Sequence, residues 1–307
     1  MRDLGGRRGA VATPRPSPHP DGSRQNPQRL PPVNSPTLTL ASDSGAKNSN
    51  LAFALGSLPA PRRRDAMVFY AFCREIDDIA DEAGRTAEER HRLLNAWKDG
   101  LRGKQPIPDS LQDIITRHRL DPELLVQIVE GVEMDIEPGD FETFTHLRTY
   151  CWHVASAVGL ASIKLFGCTD AKSSRYAEDL GYALQITNII RDVGEDAALG
   201  RIYLPIEDTE RFGVDRTQLR HGVATGRFRE LLEFEAARAR EYFAGARQSI
   251  TSQDARALLP AETMREIYSR LLDRMESDGF RVLETRYRLS KMEKLAILLK
   301  KRIGFPW

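Results

Sequence analysis

The sequence predicts an all-α fold, and three observations carry the prediction. From about Asn48 onward, apolar residues recur three and four apart, the period of a helix with one buried stripe. Alternating apolar and polar residues never meet across a two-residue turn, so strands and hairpins have no signal. Helix ends are written in side chains. Thr86 stands three residues before Glu89 in the capping-box pattern, Asp121 precedes Pro122 as an N-cap would, and Pro138-Gly139 closes the helix that follows.

Taken in order, residues 1–47 stand apart. Eight of the 17 prolines fall there among Ser, Arg, Asn and Gln, with little periodic apolar content, so 1–47 is expected to be a disordered tail and 48–307 the all-α domain. The tail lacks the amphipathic period of a transit peptide and the apolar core of a secretory signal. A first helix is expected over about 62–83, a second from Thr86 to about Leu101, then helices over 109–119 and 122–136. Two long segments, 143–166 and 173–197, are apolar on most faces and rich in small residues, which places them at the centre of a bundle. A polar loop carrying GRIYLP at 200–205 leads to amphipathic helices near 226–250, 262–278 and 282–302.

Composition excludes several functions. Lys plus Arg total 45 and Asp plus Glu 44, a formal charge of +1, which argues against nucleic acid as the main partner. The three cysteines form no CxxC pair, so neither a disulfide framework nor a zinc ribbon is expected, and the environment reads as reducing. No stretch reaches the ~18 apolar residues of a membrane span. A cytoplasmic protein is expected, with any contact to the inner membrane peripheral and serving release of a lipophilic product.

Two polar stripes carry the chemistry. Tyr70, Arg74, Asp77 and Asp81 lie at steps of four, three and four on one helix face, with apolar residues over much of the rest. Gln185, Asn188, Asp192 and Asp196 step by three, four and four along the second core-like segment. Either stripe alone is readable as a solvated helix end or an interhelix polar network. Facing each other, Asp77, Asp81, Asn188, Asp192 and Asp196 would make an oxygen-only cluster whose repulsion demands cations. Such a donor set favours Mg2+, with Mn2+ as substitute, completed by water and substrate phosphate. Arg74, Arg191 and Arg201 would add guanidinium forks for phosphate. The chemistry that follows is ionisation of an allylic diphosphate beside an apolar pocket.

Three stretches, YAFCREIDDIADE at 70–82, YCWHVASAVG at 150–159 and TNIIRDVGEDAALGRIYLP at 187–205, resemble the squalene/phytoene synthase family over roughly residues 48–302. The resemblance implies the isoprenoid synthase helical bundle with a central apolar cavity, and head-to-head condensation of two prenyl diphosphates. It assigns catalytic roles to Tyr150, Asp77, Asp81, Asp192 and Asp196, and metal binding to Asp77, Asp81, Asn188, Asp192 and Asp196. Substrate contact falls to Tyr70, Arg74, Gln185, Asn188, Arg191 and Arg201. Tyr150 matches a tyrosine of proton handling, and the small residues after it would set its ring near the central cavity. One departure is SNLAF at 49–53, where many bacterial members carry Ser-Ser-Phe-Tyr.

The wording CREIDDIADE and RIYLP leans toward bacterial presqualene diphosphate or squalene synthases acting on farnesyl diphosphate. Phytoene or dehydrosqualene synthase is the alternative. A non-catalytic assembly factor is a third reading, which would be expected to have lost motif acids that this chain keeps. Some members go on to reduce the intermediate with NADPH, and since no GxGxxG follows a strand, that step stays open, as does the oligomeric state. His146 and His153 are read as packing residues, Cys73 and Cys151 as small hydrophobes, and Arg62-Arg63-Arg64 as a solvated helix start.

Overall fold

The structure is a computed structural model that describes residues 36–40, 49–82 and 84–304. Every regular element among these residues is a helix. In chain order they are α1 (Asn50–Leu55), α2 (Ala60–Asp81), α3 (Ala87–Leu101), α4 (Asp109–His118), α5 (Pro122–Glu133), α6 (Phe144–Cys151), a π-helical turn (Trp152–Ser156), α7 (Ala157–Phe166), α8 (Lys172–Ala198), α9 (Ile206–Arg211), α10 (Arg216–Arg220), α11 (Phe228–Gln248), α12 (Leu259–Ser277) and α13 (Lys291–Gly304). The cap signals are met. Thr86 and Glu89 form the reciprocal capping box on α3, and Asp121 accepts the N–H of Glu123 at 3.0 Å ahead of Pro122.

The long α8, with its run of small and apolar residues from Leu180 to Ile190 broken by Gln185, Thr187 and Asn188, lies at the centre. One buried cluster packs α8 against α11 and α12. A second packs α2, α3, α5 and α7 together, with Phe72 edge-on to Trp97 at 5.3 Å. α7 and α8 run antiparallel through a turn at 167–171 and approach closely because of two glycines. A Cβ at Gly159 would sit 2.9 Å from the Ala177 carbonyl oxygen, and one at Gly181 only 2.5 Å from the Ser156 Cα. Distant side chains hold the hairpin. The Asp254 carboxylate accepts the N–H groups of Thr169 and Asp170 in the turn and the Ser173 hydroxyl in the first turn of α8, tying the two together. Arg62 Nη1 donates to the Leu165 carbonyl at 3.1 Å, so this member of the arginine triplet closes the end of α7 rather than facing solvent.

Three expectations are corrected. The helix expected over 143–166 is broken by the π turn at 152–156, a one-residue insertion that periodicity over so short a stretch does not register. The helix expected over 282–302 begins only at Lys291. Gly279 and Phe280 both take positive φ, 68° and 55°, which ends α12, and Ser290 with Glu293 then caps a new helix. Within the expected tail, residues 36–40 lie against the domain: Leu38 and Leu40 are half-buried on the second cluster, and Leu38 reaches Gly100 of α3. The rest of that expectation, 1–35 and 41–47, falls outside the described residues.

Removing residues 1–35 should therefore leave the melting temperature unchanged, whereas removing 1–47 also strips Leu38 and Leu40 and should cost about 1–3 kcal/mol. Thermal unfolding of both truncations checks this, and equal melting temperatures would mean the two leucines contribute nothing.

Candidate active site

α2, α7, α8 and α12, with the start of α1, wall a cavity of about 430 Å³. Its depth can be read along α8, where Asn188, Gln185, Leu184, Gly181, Leu180, Ala177 and Tyr176 all line it. From Asn188 to Tyr176 the helix covers about 18 Å at 1.5 Å per residue. The antiparallel pairing sets Phe166 of α7 beside Tyr176 at the far end. The Arg62 contact to Leu165 fixes the N-terminal part of α2 at that same end. Tyr70, Arg74 and Asp77 consequently climb α2 toward the end where Asn188 stands. One end of the cavity is polar, and the other, lined by Phe166 and Tyr176, is apolar and aromatic.

The far end is rigid. Tyr176 is fully buried, and its hydroxyl donates to Glu262 Oε1 at 3.0 Å. Glu262 is held in turn by Arg265 at 2.7 Å and by Lys301 of α13 at 2.9 Å. Burial would raise this carboxyl, but the two cations prevail and hold it down at about 2.

Acids crowd the polar end, and several of them pair with arginines. Arg74 donates to Asp78 at 2.5 Å and lies 3.8 Å from Asp77. Arg191 grips Asp192 through two bonds of 2.8 and 2.5 Å. Arg201 Nη1 stands 3.7 Å from the largely exposed Asp81. Arg286, which spacing did not single out, reaches Glu195 at 2.8 Å and Asp192 at 3.9 Å. The neutralisation is incomplete. Asp77 keeps 45% of its side chain accessible, yet the protein around it desolvates the carboxyl and pushes it up to about 7, against Arg74 and with Asp81, Asp135 and Asp78 adding. Burial likewise lifts Asp196 to about 7, with Asp192, Asp135 and Glu195 adding and Arg201 opposing.

Asp135, just past α5, is the group the sequence reading missed. It acts on both stripes, since its charge raises Asp77 and Asp196 alike, and Arg201 Nη2 donates to its carbonyl at 3.2 Å. Its carboxylate accepts the Tyr203 hydroxyl at 2.8 Å and the Tyr150 hydroxyl at 3.0 and 3.1 Å. The two rings stack with centroids 5.4 Å apart. Burial raises the Asp135 carboxyl although both tyrosines oppose the shift. Burial, then Asp135, raises the Tyr150 phenol well above its usual range. Here an expectation is corrected: Tyr150 does not line the large cavity. It faces a separate niche of about 60 Å³ beside Asp135, Phe141 and Tyr203, because its hydroxyl is drawn to the buried carboxylate.

The remaining candidates fall where expected or beside it. Tyr70 and Gln185 line the cavity, and Asn188 Nδ2 donates to Gln185 Oε1 at 3.4 Å. His153 bonds the Thr149 carbonyl, and the exposed His146 packs edge-on against Phe141. Cys151 is fully buried and Cys73 partly so, and burial raises both thiols.

The two stripes do not close into a ready-made cage. Among the described residues no three His, Cys, Asp or Glu converge enough to hold an ion by themselves. The expected single cluster is instead two half-sites, with Asp135 coupled to both. The donor set still fits a hard divalent cation. It is all oxygen, and Asn188 Oδ1 is a buried acceptor with no hydrogen bond. Magnesium keeps several waters and takes phosphate oxygens, so two open half-sites suit it better than a closed cage. Asp77, Asp81, Asn188, Asp192 and Asp196 are the residues that would hold it.

Residues 45–293 match the squalene/phytoene synthase family. The chain is 33% identical over 269 residues to the presqualene diphosphate synthase of Zymomonas mobilis subsp. mobilis, covering 86% of this chain and 92% of that one. It is 34% identical over 268 residues to the 15-cis-phytoene synthase of Synechocystis sp., covering 80% and 79%. The crystal structure of a dehydrosqualene synthase in complex with ligand superposes with a TM-score of 0.74 at 27% identity, covering 84% of this chain and 92% of that one.

Proposed function

The chain belongs to the squalene/phytoene synthase family of prenyltransferases, which condense prenyl diphosphates head to head, and we propose that this member joins two farnesyl diphosphates into presqualene diphosphate. The observation that carries the reading is the polarity of the cavity: an end lined by Arg74, Asp77 and Asn188 runs into an apolar stretch lined by Leu180, Leu184, Phe166 and Tyr176.

In this reading Arg74, Arg191, Arg201 and Arg286 exchange carboxylate partners for diphosphate oxygens. When bound by the two half-sites, magnesium supplies the positive charge that lets the diphosphate depart. Leu180, Leu184, Val158 and Met264 keep water from the allylic cation until the double bond of the second substrate attacks its C1. Closing the cyclopropane then requires loss of one proton. Tyr150 and Asp135 stand in the niche beside the cavity, so in this reading the departed diphosphate takes the proton and passes it to the Tyr150 oxygen as the phenol's own proton moves to Asp135, whose carboxyl burial raises. Tyr203 holds the other lone pairs of Asp135 in place.

Purified protein given farnesyl diphosphate and magnesium should release presqualene diphosphate, with addition of NADPH deciding whether reduction to squalene follows. Excess chelator should abolish turnover, and Asp77→Asn or Asp192→Asn should lower kcat by orders of magnitude while the helices stay intact. Turnover in chelator, or near-normal activity of either variant, would remove the two half-sites from the reaction.

Tyr150→Phe keeps the ring and deletes the hydroxyl. It should lower kcat by about 10²–10⁴-fold with KM little changed. Loss of one hydrogen bond should cost only about 1 kcal/mol of stability, read by thermal unfolding. Wild-type kcat in this variant would leave the phenol a packing group.

The phytoene synthase relative favours a second reading, two geranylgeranyl diphosphates joined to a C40 product. In this comparison chain length would be decided at the Tyr176 end of the cavity. If Tyr176 stops a farnesyl tail, wild-type protein should prefer farnesyl diphosphate and Tyr176→Ala should gain turnover of geranylgeranyl diphosphate. Phytoene formation by the wild-type protein at equal or higher kcat/KM would establish the second reading instead.

A further inference from the structure

α13 is built with two unlike faces. Ile297 is 1% exposed, and Glu293 and Lys301, one turn to either side, pair with Arg274 and Glu262 on α12. That face fixes the helix to the outer side of α12, whose Ala261, Met264 and Tyr268 wall the cavity. The opposite face carries Met292, Leu295, Leu299 and Ile303, exposed by 73%, 41%, 50% and 80%. Their steps of three, four and four keep them in one row, an arc of about 100° once Ala296 is included. Lys291 and Arg302 flank one edge of the row and Lys300 the other, and none of the three makes an ion pair among the described residues. The sequence continues past Gly304 as Phe305-Pro306-Trp307, and aromatic side chains are favoured where a bilayer meets water.

An exposed apolar row of this size in water needs an occupant. A second copy is a poor candidate, because one helical row falls short of the ~800 Å² per partner of a standard protein interface. Among the described residues no helix is long and apolar enough to cross a membrane, and α13 has 14 residues. Apolar row, basic edges and short length together match a helix lying in the plane of a lipid surface, with its basic side chains reaching outward to anionic headgroups. We infer that α13 docks the protein on an anionic bilayer by seating Met292, Leu295, Leu299 and Ile303 among the headgroups. The docked helix stands one helix away from the cavity, which would keep the cavity close to the phase in which a prenyl tail dissolves.

The test uses the full chain and vesicles, with no substrate, so its outcome is separate from that of the proposed reaction. Protein is sedimented with vesicles of phosphatidylcholine containing about one-third phosphatidylglycerol, and with phosphatidylcholine alone. The inference expects partition onto the anionic vesicles at least about tenfold stronger than onto the neutral ones. Leu295→Glu with Leu299→Glu, and separately Lys300→Glu with Arg302→Glu, should each weaken it at least about tenfold. Both double variants should keep the wild-type melting temperature and diphosphate turnover in detergent, since neither pair touches the core or the cavity. Absence of partition onto the anionic vesicles, or partition unaffected by either pair, overturns the inference. A wild-type dimer that Leu295→Glu with Leu299→Glu converts to monomer also overturns it, because the row would then belong to a second copy.

Discussion

Asp77, Asp81, Asp135, Asp192, Glu195 and Asp196 stand together at one end of an apolar tunnel, and their mutual repulsion is the constraint to which the surrounding structure responds. Four arginines from three parts of the chain, Arg74 on α2, Arg191 and Arg201 on and after α8, and Arg286 before α13, lean into that end. They do not cancel it: burial is the first cause that lifts Asp77 and Asp196 to about 7, and the neighbouring carboxylates add to that rise against the arginines. A site left with surplus negative charge and a few loosely held guanidinium groups is arranged for a ligand that brings cations and phosphate together. The charge is tolerated because the rest of the bundle is packed to bear it, with α8 buried on nearly every face and clamped at its start by Asp254.

The same packing shapes the tunnel. Gly159 and Gly181 let α7 and α8 approach closely, and neither position has space for a methyl group. The far wall is stiffened from outside by a relay from Tyr176 through Glu262 to Arg265 and Lys301. Tunnel floor and C-terminal helix thus share one buried carboxylate, so the outermost element of the fold and the deepest part of the cavity are mechanically joined.

How much of this was legible in the sequence depended on whether the signal was periodic. The two stripes were found because four polar groups at helical steps stand out against apolar flanks, and the centrality of α8 followed from its apolar composition. Asp135 has no polar partner at helical spacing: it follows α5 in VEMDIEP, where Glu133 and Glu137 on either side make it look like part of a solvated acidic end. Tyr203 lies inside the quoted RIYLP yet carries no spacing of its own. Arg286 sits in RVLETRYRL, where neighbouring arginines hide it. These three reach the site through tertiary placement, which one-dimensional periods do not encode. The partner of Tyr150 was lost for the same reason, and with it the direction in which its hydroxyl points.

The π turn at 152–156 separates Tyr150, aimed at Asp135, from Gly159, aimed at Ala177. One surplus residue in that turn rotates everything before it by about 100° relative to an uninterrupted α-helix. The segment between the two residues is therefore a phase adjuster, whose function resides in its length rather than in its letters. Substitutions at the half-exposed Trp152 or His153 leave the phase alone. Deleting any one residue there would let the α-helix heal into its preferred form and swing the phenol away from its carboxylate, with the bundle still folded around it.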